Sequence, residues 1–403
     1  MMEMKKYKLS EIMEVTRGMS LSGDFYATEG NLMRLTLGNF DYRNNCFKDD
    51  KSKENLFFIG DVKEEFVLKK DDIITPLTEQ AIGLLGSTAK IPCDDKYIQS
   101  QDVALIKCSG KLHPDFAFYL IPSKLVRNQL SAAAQQTKIR HTSPAKIKDC
   151  TVWIPEYSKQ KYIGKLLSSL DDKIALNKKI NAKLEAMAKR FYDYWFVQFD
   201  YPDKNGKPYK TSGGKMVWNE VLKREIPEGW EVVQIQSILD KYPSTKRFNT
   251  SEYLYDGKYP IVDQDSSSFI AGYTNEENGL LKQFPAVLFG DHSTCVKFLN
   301  FEFCRGADGT QILYSNEDRI KPYYLYLAVK SLIIPNQGYS RHFKYLKELP
   351  VILPSLELAD KFQKIVKPTY EKKTKCDKQI EKLSRLRDRL LPLLMNGQVE
   401  VEG

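Results

Sequence analysis

Two Arg-His pairs, Arg140-His141 and Arg341-His342, are the first residues to consider for chemistry. The chain contains four His. Each pair falls in a polar loop between an aromatic helical pattern and a strand-like motif. His can act as a general base or metal ligand, and Arg binds anions and hydrogen-bond acceptors. Four scattered His give little material for a catalytic triad or a His-based metal site, so the pairs favour binding over catalysis.

The familiar catalytic sequence patterns are missing. There is no G-x-x-x-x-G-K-[ST] phosphate loop, no G-x-G-x-x-G and no [DN]-P-P-[YF] methyl-transfer motif. Glu371-Lys-Lys373 has nuclease-like spacing, but it lies on a helical pattern where a solvated face is expected. The seven Cys are scattered and form no C-x-x-C pair, so neither a zinc ribbon nor a disulfide framework is indicated. We therefore expect no cofactor, no metal and no enzymatic activity in this chain.

The chain repeats itself at a period of half its length. The motif Val152-Trp153-Ile154-Pro155 returns as Val351-Ile352-Leu353-Pro354, and a long helical pattern follows each copy. Periods of roughly 20–50 residues indicate solenoids or propellers, whereas this one indicates two similar halves. Internal pseudo-two-fold character suits a two-fold partner or a duplex that is read at two places.

Both long helical patterns carry one apolar stripe that a lone helix cannot hide. At about forty residues, each would be roughly 60 Å long, and the simplest solution is an antiparallel coiled coil. Pro368 should kink or delay the second helix. Asn177 is either a polar seam residue that fixes register or a solvated one. The predicted seam is Ile163, Leu167, Leu170, Ile174, Ile180, Leu184 and Met187, facing Phe362, Val366, Cys376, Ile380 and Leu383.

The remaining sequence predicts two mixed α and β segments, so the expected fold class is α+β. Strand-like runs include residues 72–75, 103–106, 286–289 and 310–314, and each segment has an aromatic helix, at 115–126 and 323–333. The predicted organisation is a first domain at 1–157, a helix at 158–199, a Gly/Pro/Lys-rich linker at 200–228, a second domain at 229–354 and a second helix at 355–403.

The net charge of +9 is concentrated on the two helical stretches, while the globular segments are nearly neutral. This distribution excludes a protein surface that is basic throughout, and it is compatible with local basic patches on the globular segments. No apolar run is long enough to span a membrane, and no signal-peptide pattern follows Met1. We expect a cytoplasmic protein with reduced cysteines.

The chain resembles the specificity subunit of type I restriction-modification enzymes over essentially its whole length. The most specific features are the order globular, helix, globular, helix, the string Trp195-Phe196-x-x-Phe199, the string Ile226-Pro-Glu-Gly-Trp230, and the close Leu390-Leu-Pro-Leu-Leu-Met-Asn-Gly397. The resemblance implies two target-recognition domains that each read half of a split site in double-stranded DNA. It also implies helices that set the half-site spacing and bind two methyltransferase subunits, and restriction subunits through that complex. Residues 191–199 have no aromatic counterpart at 390–396, so the helices should not dock partners identically.

The two globular segments differ in sequence, which predicts an asymmetric target with two unlike half-sites. Arg and Lys suit guanine, Asn and Gln suit adenine, and Lys, Arg, Ser and Thr suit phosphates. Gln264 and His292 are weaker candidates. The predicted DNA contacts are Gln135, Gln136, Thr137, Lys138, Arg140, His141, Lys146 and Lys148 in the first domain, and Lys246, Arg247, Gln337, Tyr339, Ser340, Arg341, His342 and Lys344 in the second.

Two alternatives remain from sequence. A coiled-coil scaffold whose globular ends bind proteins explains the nearly neutral domains equally well. A divergent nuclease or methyltransferase is the other alternative, and it would have to act without any recognisable motif.

Overall fold

The computed structural model divides the chain into two compact units. Unit 1 consists of Met1–Asp172 together with Ser384–Gly403, and unit 2 is Lys173–Leu383. The structure describes residues 2–50, 52–79, 81, 83–133, 140–242, 244–266, 268–306, 309–334 and 341–400.

Unit 1 contains short strands, three short helices and part of each long helix. Its strands are β1 (Lys5–Lys8), β2 (Met13–Arg17), β3 (Tyr26–Ala27), β4 (Leu32–Arg34), β5 (Phe40–Asp41), β6 (Cys46–Phe47), β7 (Phe57–Phe58), β8 (Val67–Leu68), β9 (Ile73–Pro76), β10 (Thr78–Glu79), β11 (Ala89–Lys90), β12 (Tyr97–Ile98), β13 (Val103–Cys108), β14 (Arg140–His141) and β15 (Thr151–Ile154). Its helices are α1 (Pro114–Leu120), α2 (Lys124–Ala133), α3 (Pro144–Lys148) and the first part of α4 (Tyr157–Tyr192).

Two sheets organise unit 1. One has the order β11-β9-β13-β2, and the other has the order β3-β7-β4-β12-β8 with a parallel β4–β12 pair. The repeated V-x-[I/L]-P motif forms β15, which pairs antiparallel with β1. Helix α1 packs closely on α4 at Gly164, where a Cβ would come within 2.7 Å of the Asp115 side chain. A glycine is therefore required at this contact.

Unit 2 repeats this arrangement with different lengths. Its strands are β16 (Met216–Asn219), β17 (Arg224–Pro227), β18 (Glu231–Gln234), β19 (Arg247–Phe248), β20 (Tyr259–Val262), β21 (Gly272–Thr274), β22 (Leu280–Leu281), β23 (Ala286–Gly290), β24 (Val296–Leu299), β25 (Phe303–Gly306), β26 (Thr310–Leu313) and β27 (Pro350–Leu353). Its helices are the second part of α4, α5 (Ile235–Ile238), α6 (Pro322–Ser331), α7 (Phe343–Glu348) and most of α8 (Leu356–Met395).

The sheets of unit 2 correspond to those of unit 1. Strand β23 lies between β24 and β26, as β9 lies between β11 and β13. Strands β20 and β25 pair in parallel, as β4 and β12 do, and β27 pairs with β18 as β15 pairs with β1. The two halves predicted from the repeated motif therefore share these strand pairings, although the first sheet has four strands in unit 1 and three in unit 2.

The segment predicted as a linker is an ordered part of unit 2. Strands β16 and β17 form an antiparallel hairpin. The ring of Tyr201 stacks between Tyr209 and Trp230, with centroid distances of 4.7 and 5.2 Å. Asp200 accepts hydrogen bonds from the backbone and hydroxyl of Thr211. Aromatic stacking and side-chain capping thus order a segment whose composition alone indicates a loop.

Within unit 1, α4 and the end of α8 run antiparallel. Ile163 and Leu167 of α4 are fully buried in one cluster with Leu394 of α8. Nearer the middle of the helices, Arg387 donates to Asp171 at 2.7 Å. The predicted seam residues Ile163, Leu167 and Leu170 are all buried here.

Within unit 2, the antiparallel seam is partly polar. Asn177 and Asn181 are each 8% exposed. Asn177 donates to Gln379 at 3.1 Å, and Asn181 donates to Asp377 at 2.6 Å. Burial raises the pKa of Asp377, although Lys373 pairs with it at 3.0 Å. Asn177 is therefore a buried seam residue, the first of the two alternatives left by the sequence.

The remaining predicted seam residues of unit 2 divide into three groups. Ile174, Phe362, Val366 and Cys376 are buried, while Ile180, Leu184, Ile380 and Leu383 are partly exposed. The prediction for Met187 is wrong, since its side chain is 43% exposed and Ala188 is the buried residue. The buried face of α4 advances by steps of three and four residues and includes Asn177 and Asn181. A pattern that counts only apolar residues skips these two positions and therefore places Met187, instead of Ala188, on the buried face.

Two predictions about helix continuity are also corrected. Helix α8 begins before Pro368 and continues through it, so the proline does not delay the helix. The aromatic pattern predicted as one helix at 115–126 is divided into α1 and α2. Pro122 lies in the break, where it removes a backbone donor and disfavours helical geometry in the preceding residue.

The seam phase can be tested with two neighbouring substitutions. Ala188→Leu should lower the free energy of unfolding by about 1–3 kcal/mol, because the added methyl groups overfill a buried site. Met187→Leu should change it by less than about 0.5 kcal/mol, because that position is exposed. Urea unfolding followed by circular dichroism measures both variants. A larger loss for Met187→Leu would mean that the predicted seam, and not the observed one, is right.

Candidate functional site

In unit 1, polar side chains gather where β9 ends and β13 begins. Strand β14 pairs with β10, which places His141 opposite Thr78 and Arg140 opposite Glu79. Thr78 Oγ1 lies 3.2 Å from His141 Nδ1 and 3.3 Å from Asp102 Oδ1. Arg140 Nη1 lies 3.7 Å from Glu79 Oε2. Arg140 and His141 are both exposed, so this edge presents a donor-rich pair that Thr78 and Glu79 hold in place.

A polar cavity of about 290 Å³ lies beside this edge. It includes Arg34, Thr36, Asp50, Gln101 and Asp102 in its lining. The Asp50 carboxylate accepts hydrogen bonds from Thr36 and Ser52. Asp102 connects the cavity with Thr78, so the cavity and the β10–β14 pair form one continuous polar region.

In unit 2, the corresponding edge lies where β23 ends and β26 begins. Gln264 Oε1 accepts a hydrogen bond from the backbone of His292 at 2.9 Å. The hydroxyl of Ser293 donates to the Gln264 carbonyl at 2.7 Å. His292 and Ser293 are exposed, and Gln264 is half-buried. Gln264 and His292, both weak candidates from sequence, are thus held together at the edge.

Gly309 makes room for these side chains. Its φ of +86° is in the left-handed region, which favours glycine. A Cβ at this position would lie 2.7 Å from Gln264 Nε2 and 2.8 Å from His292 Cδ2. Glycine at 309 is therefore required both by the backbone and by the packing of the edge.

The prediction that His342 contacts DNA is corrected by its burial. The side chain is 2% exposed. Its backbone N–H donates to the carbonyl of Asp291 at 2.9 Å, and its Nδ1 lies at the same distance from that oxygen. Asp291 also accepts from the backbone of Phe343. His342 thus fixes the start of α7 to the end of β23, and its neighbours Arg341 and Lys344 are exposed.

The two Arg-His pairs do not occupy equivalent positions. Thr142 donates its backbone N–H to Leu77, the residue after β9, at 2.9 Å. His342 makes the matching bond to Asp291, the residue after β23. Thr142 is therefore the counterpart of His342, and the apparent match in sequence is offset by one residue.

Several predicted phosphate contacts have partners within the protein. Lys148 pairs with Glu14 at 2.9 Å, and Lys246 pairs with Glu252 and Glu276, each at 2.9 Å. These lysines are partly neutralised, which weakens the case for a phosphate contact. Lys146 is exposed and donates to the carbonyl of Ala133, and Arg247 is exposed at the start of β19. The predicted contacts Gln135, Gln136, Thr137, Lys138, Gln337, Tyr339 and Ser340 lie outside the described residues.

The sequence did not single out Ser293, and it gave Gln264 and His292 only as weak candidates. A usable signal was present, because the polar run from Asp291 to Thr294 directly follows the buried strand β23. Polar residues that follow a buried strand gather at a sheet edge.

In the described ranges, no group of three or more His, Cys, Asp or Glu could hold a metal ion. Among those same residues, no helix is long and apolar enough to cross a membrane.

Two mixed α/β units, each with a polar edge at equivalent strand ends, are the architecture of a protein with two separate binding domains. The family model described as the type I restriction modification DNA specificity domain matches residues 1–186 and 227–383. The chain belongs to this family, which confirms the family predicted from sequence.

Individual relatives agree with this assignment. The chain is 25% identical to the type I restriction enzyme HindI specificity subunit of Haemophilus influenzae, over 99% of this chain and 100% of that protein. It is also 25% identical to the MjaIX specificity subunit of Methanocaldococcus jannaschii, over 72% of this chain and 69% of that protein. The prediction of a specificity subunit is confirmed at the level of the family, and the scaffold alternative is not favoured.

The fold has a solved counterpart. The crystal structure of the type I restriction-modification S subunit from M. genitalium matches with a TM-score of 0.61 and 17% identity, over 98% of this chain and 96% of that one. The likeness confirms the predicted α+β fold with two mixed domains and two long antiparallel helices.

A pair of glycine substitutions tests the packing of the unit 2 edge. Gly213 has a φ of +88°, and a Cβ there would meet nothing within 4 Å. Gly213→Ala should cost about 1–2 kcal/mol from backbone strain alone. Gly309→Ala should cost a further 1–3 kcal/mol or so, because Gln264 and His292 must move. Thermal unfolding compares the two variants, and equal costs would show that Gly309 does not support the edge.

Proposed function

We propose that this chain is the DNA sequence-recognition subunit of a type I restriction-modification complex, and that it reads a bipartite, asymmetric target. Unit 1 reads one half-site, and unit 2 reads the other. The proposal rests on one observation: each unit has polar side chains at the equivalent strand edge, and these side chains differ between the two units. Arg140, His141 and Thr78 lie at that edge in unit 1, and Gln264, His292 and Arg341 lie there in unit 2.

The chemistry of the two edges suits base readout. Arg can donate two parallel hydrogen bonds to guanine, and Gln can both donate to and accept from adenine. The orientation of Arg140 is guided by Glu79, and that of Gln264 is fixed by the backbone of His292. Side chains that are ordered in advance lose less entropy on binding. Since the residues differ between the units, the half-sites should differ too.

The long helices supply surfaces for partner subunits. On α4 and the turn that follows it, Met187, Phe191 and Tyr194 are each about 40% exposed. Their spacing of four and then three residues places them on one face. By contrast, Trp195 and Phe196 belong to the core of unit 2. We propose that the exposed face contacts a methyltransferase subunit, that a second copy docks on the later turns of α8, and that restriction subunits join through this complex.

The proposal predicts that recognition is modular. Replacing residues 5–157 with the first domain of another family member should change one half-site and leave the other intact, because unit 2 keeps its own edge. Genome-wide mapping of methylated motifs in cells with and without the hybrid chain measures this. If both half-sites changed, the two units would not read independently.

Arg140 provides a residue-level test of the unit 1 edge. Arg140→Ala should weaken binding by about 1–3 kcal/mol and relax specificity at one base pair, as expected for a bidentate guanine contact. Lys148→Ala is the comparison variant: Lys148 lies 2.9 Å from Glu14, closer than the 3.7 Å between Arg140 and Glu79, so it should change affinity less than Arg140→Ala does. Binding is measured on the mapped target with the complex reconstituted from all methyltransferase subunits.

The salt dependence of that assay separates the proposal from the scaffold alternative. A DNA reader loses affinity steeply as salt rises, because it releases counterions from the duplex. A protein-binding scaffold would not bind the duplex at any salt concentration. An equal loss for Arg140→Ala on every sequence would make Arg140 a phosphate contact and not a base contact.

A further inference from the structure

Arg305 is a buried arginine whose Nε has no hydrogen-bond partner in the described part of the chain. It lies in β25 and is 7% exposed. An isolated buried charge is among the most costly features of a folded protein, since it gives up hydration without compensation. Such a group implies that its counter-ion comes from outside the chain or that its site serves a function.

A second arginine increases this cost. Strand β19 pairs in parallel with β25, and the register sets Arg247 directly beside Arg305. Side chains at paired positions of neighbouring strands point to the same face of the sheet. Burial, together with the neighbouring Arg247, lowers the pKa of Arg305 to about 10. Arg305 is therefore still charged near neutral pH, and both its surroundings and its neighbour oppose that charge.

The pair lies close to the edge that holds Gln264. Arg305 pairs with Val262 at the end of β20, and Gln264 follows Val262 by two residues. Strands β19, β20 and β25 run parallel, so their carboxyl ends meet at one edge of the sheet. A ligand bound by the two arginines would thus lie beside the residues proposed to read bases.

We propose that Arg305 and Arg247 together bind a phosphate group of the DNA backbone next to the half-site read by unit 2. The inference rests on the proposed function, adds Arg305 to it and gives Arg247, already a predicted DNA contact, a partner at a phosphate. A guanidinium group presents a planar set of donors that matches the oxygens of a phosphate. The phosphate would supply a negative charge that no described residue supplies to Arg305, so part of the binding energy would come from removing the cost of burying that cation.

Unit 1 contains a buried arginine that differs in the decisive respect. Arg34 lies in β4, which belongs to the parallel pair equivalent to β20 and β25, and is 8% exposed. Its Nε and Nη2 donate to the carbonyl of Asn55. Its guanidinium stacks on the ring of Tyr26 at 3.9 Å. The Nε of Arg34 thus has a hydrogen-bond partner where that of Arg305 has none among the described residues, which makes Arg34 the matched control for Arg305.

The experiment compares Arg305→Met, Arg34→Met and Arg247→Ala in the full chain and in the complex with methyltransferase subunits. Arg305→Met should keep or raise the thermal midpoint of the free chain, because it replaces an unpaired buried charge with an apolar side chain. Arg34→Met should lower that midpoint. On DNA, Arg305→Met should lose affinity roughly tenfold on every sequence and reduce the salt slope by about 1. Arg247→Ala should reduce the slope in the same way.

Inorganic phosphate gives a readout that does not depend on sequence-specific binding. Added phosphate should raise the thermal midpoint of the wild-type chain more than chloride of equal ionic strength does. Arg305→Met should abolish that excess, and Arg34→Met should retain it. Equal protection of wild type and Arg305→Met would overturn the inference.

Three further results would also overturn it. A lower thermal midpoint or failed folding of Arg305→Met would show that the charge is satisfied within the protein. Affinity loss confined to one base pair would make Arg305 a base reader. Unchanged DNA binding by Arg305→Met and Arg247→Ala would refute only the phosphate site. If the wild-type complex bound no duplex, the proposed function itself would fail.

Discussion

The pairing of α4 with α8 is the interaction on which the rest of the structure depends. A helix of 36 or 40 residues with one apolar stripe is not stable alone in water. Each unit covers part of that stripe with its own core. Leu394 joins the core of unit 1, and Phe362 and Tyr192 join the core of unit 2. Neither core is complete without a segment of both helices, so the terminal segment 384–403 is a structural part of unit 1.

The polar residues of the seam follow from the same constraint. Where the domain cores cover the helices, the buried positions are apolar or aromatic. In unit 2, the stretch around Asn177 and Asn181 instead uses hydrogen bonds to Gln379 and Asp377. Paired polar groups contribute little net stability, yet a shift of register would leave them buried without partners. The seam therefore gains its stability from the apolar ends and its register from the polar stretch.

The sequence predicted the features that depend on periodicity and repetition. It predicted two halves, two long helices and most seam residues, because the apolar stripe and the V-x-[I/L]-P motif are local patterns. It could not predict that Ala188 replaces Met187, because the buried face passes through two Asn that an apolar count skips. It also could not reveal that His342 is buried, because that depends on a hydrogen bond to Asp291, a residue distant in sequence.

The polar edges show why an internal repeat need not produce a symmetric ligand. Each unit has an equivalent backbone hydrogen bond at this strand end. Thr142 donates to Leu77 in unit 1, and His342 donates to Asp291 in unit 2. That bond depends on backbone groups, so the side chains around it are free to differ without loss of the fold. In unit 2, Arg305 is buried near this edge, and its Nε has no hydrogen-bond partner among the described residues. The helix pair and the two cores bury the apolar side chains of each unit, so the polar residues at the strand ends can differ between the units while the fold is kept.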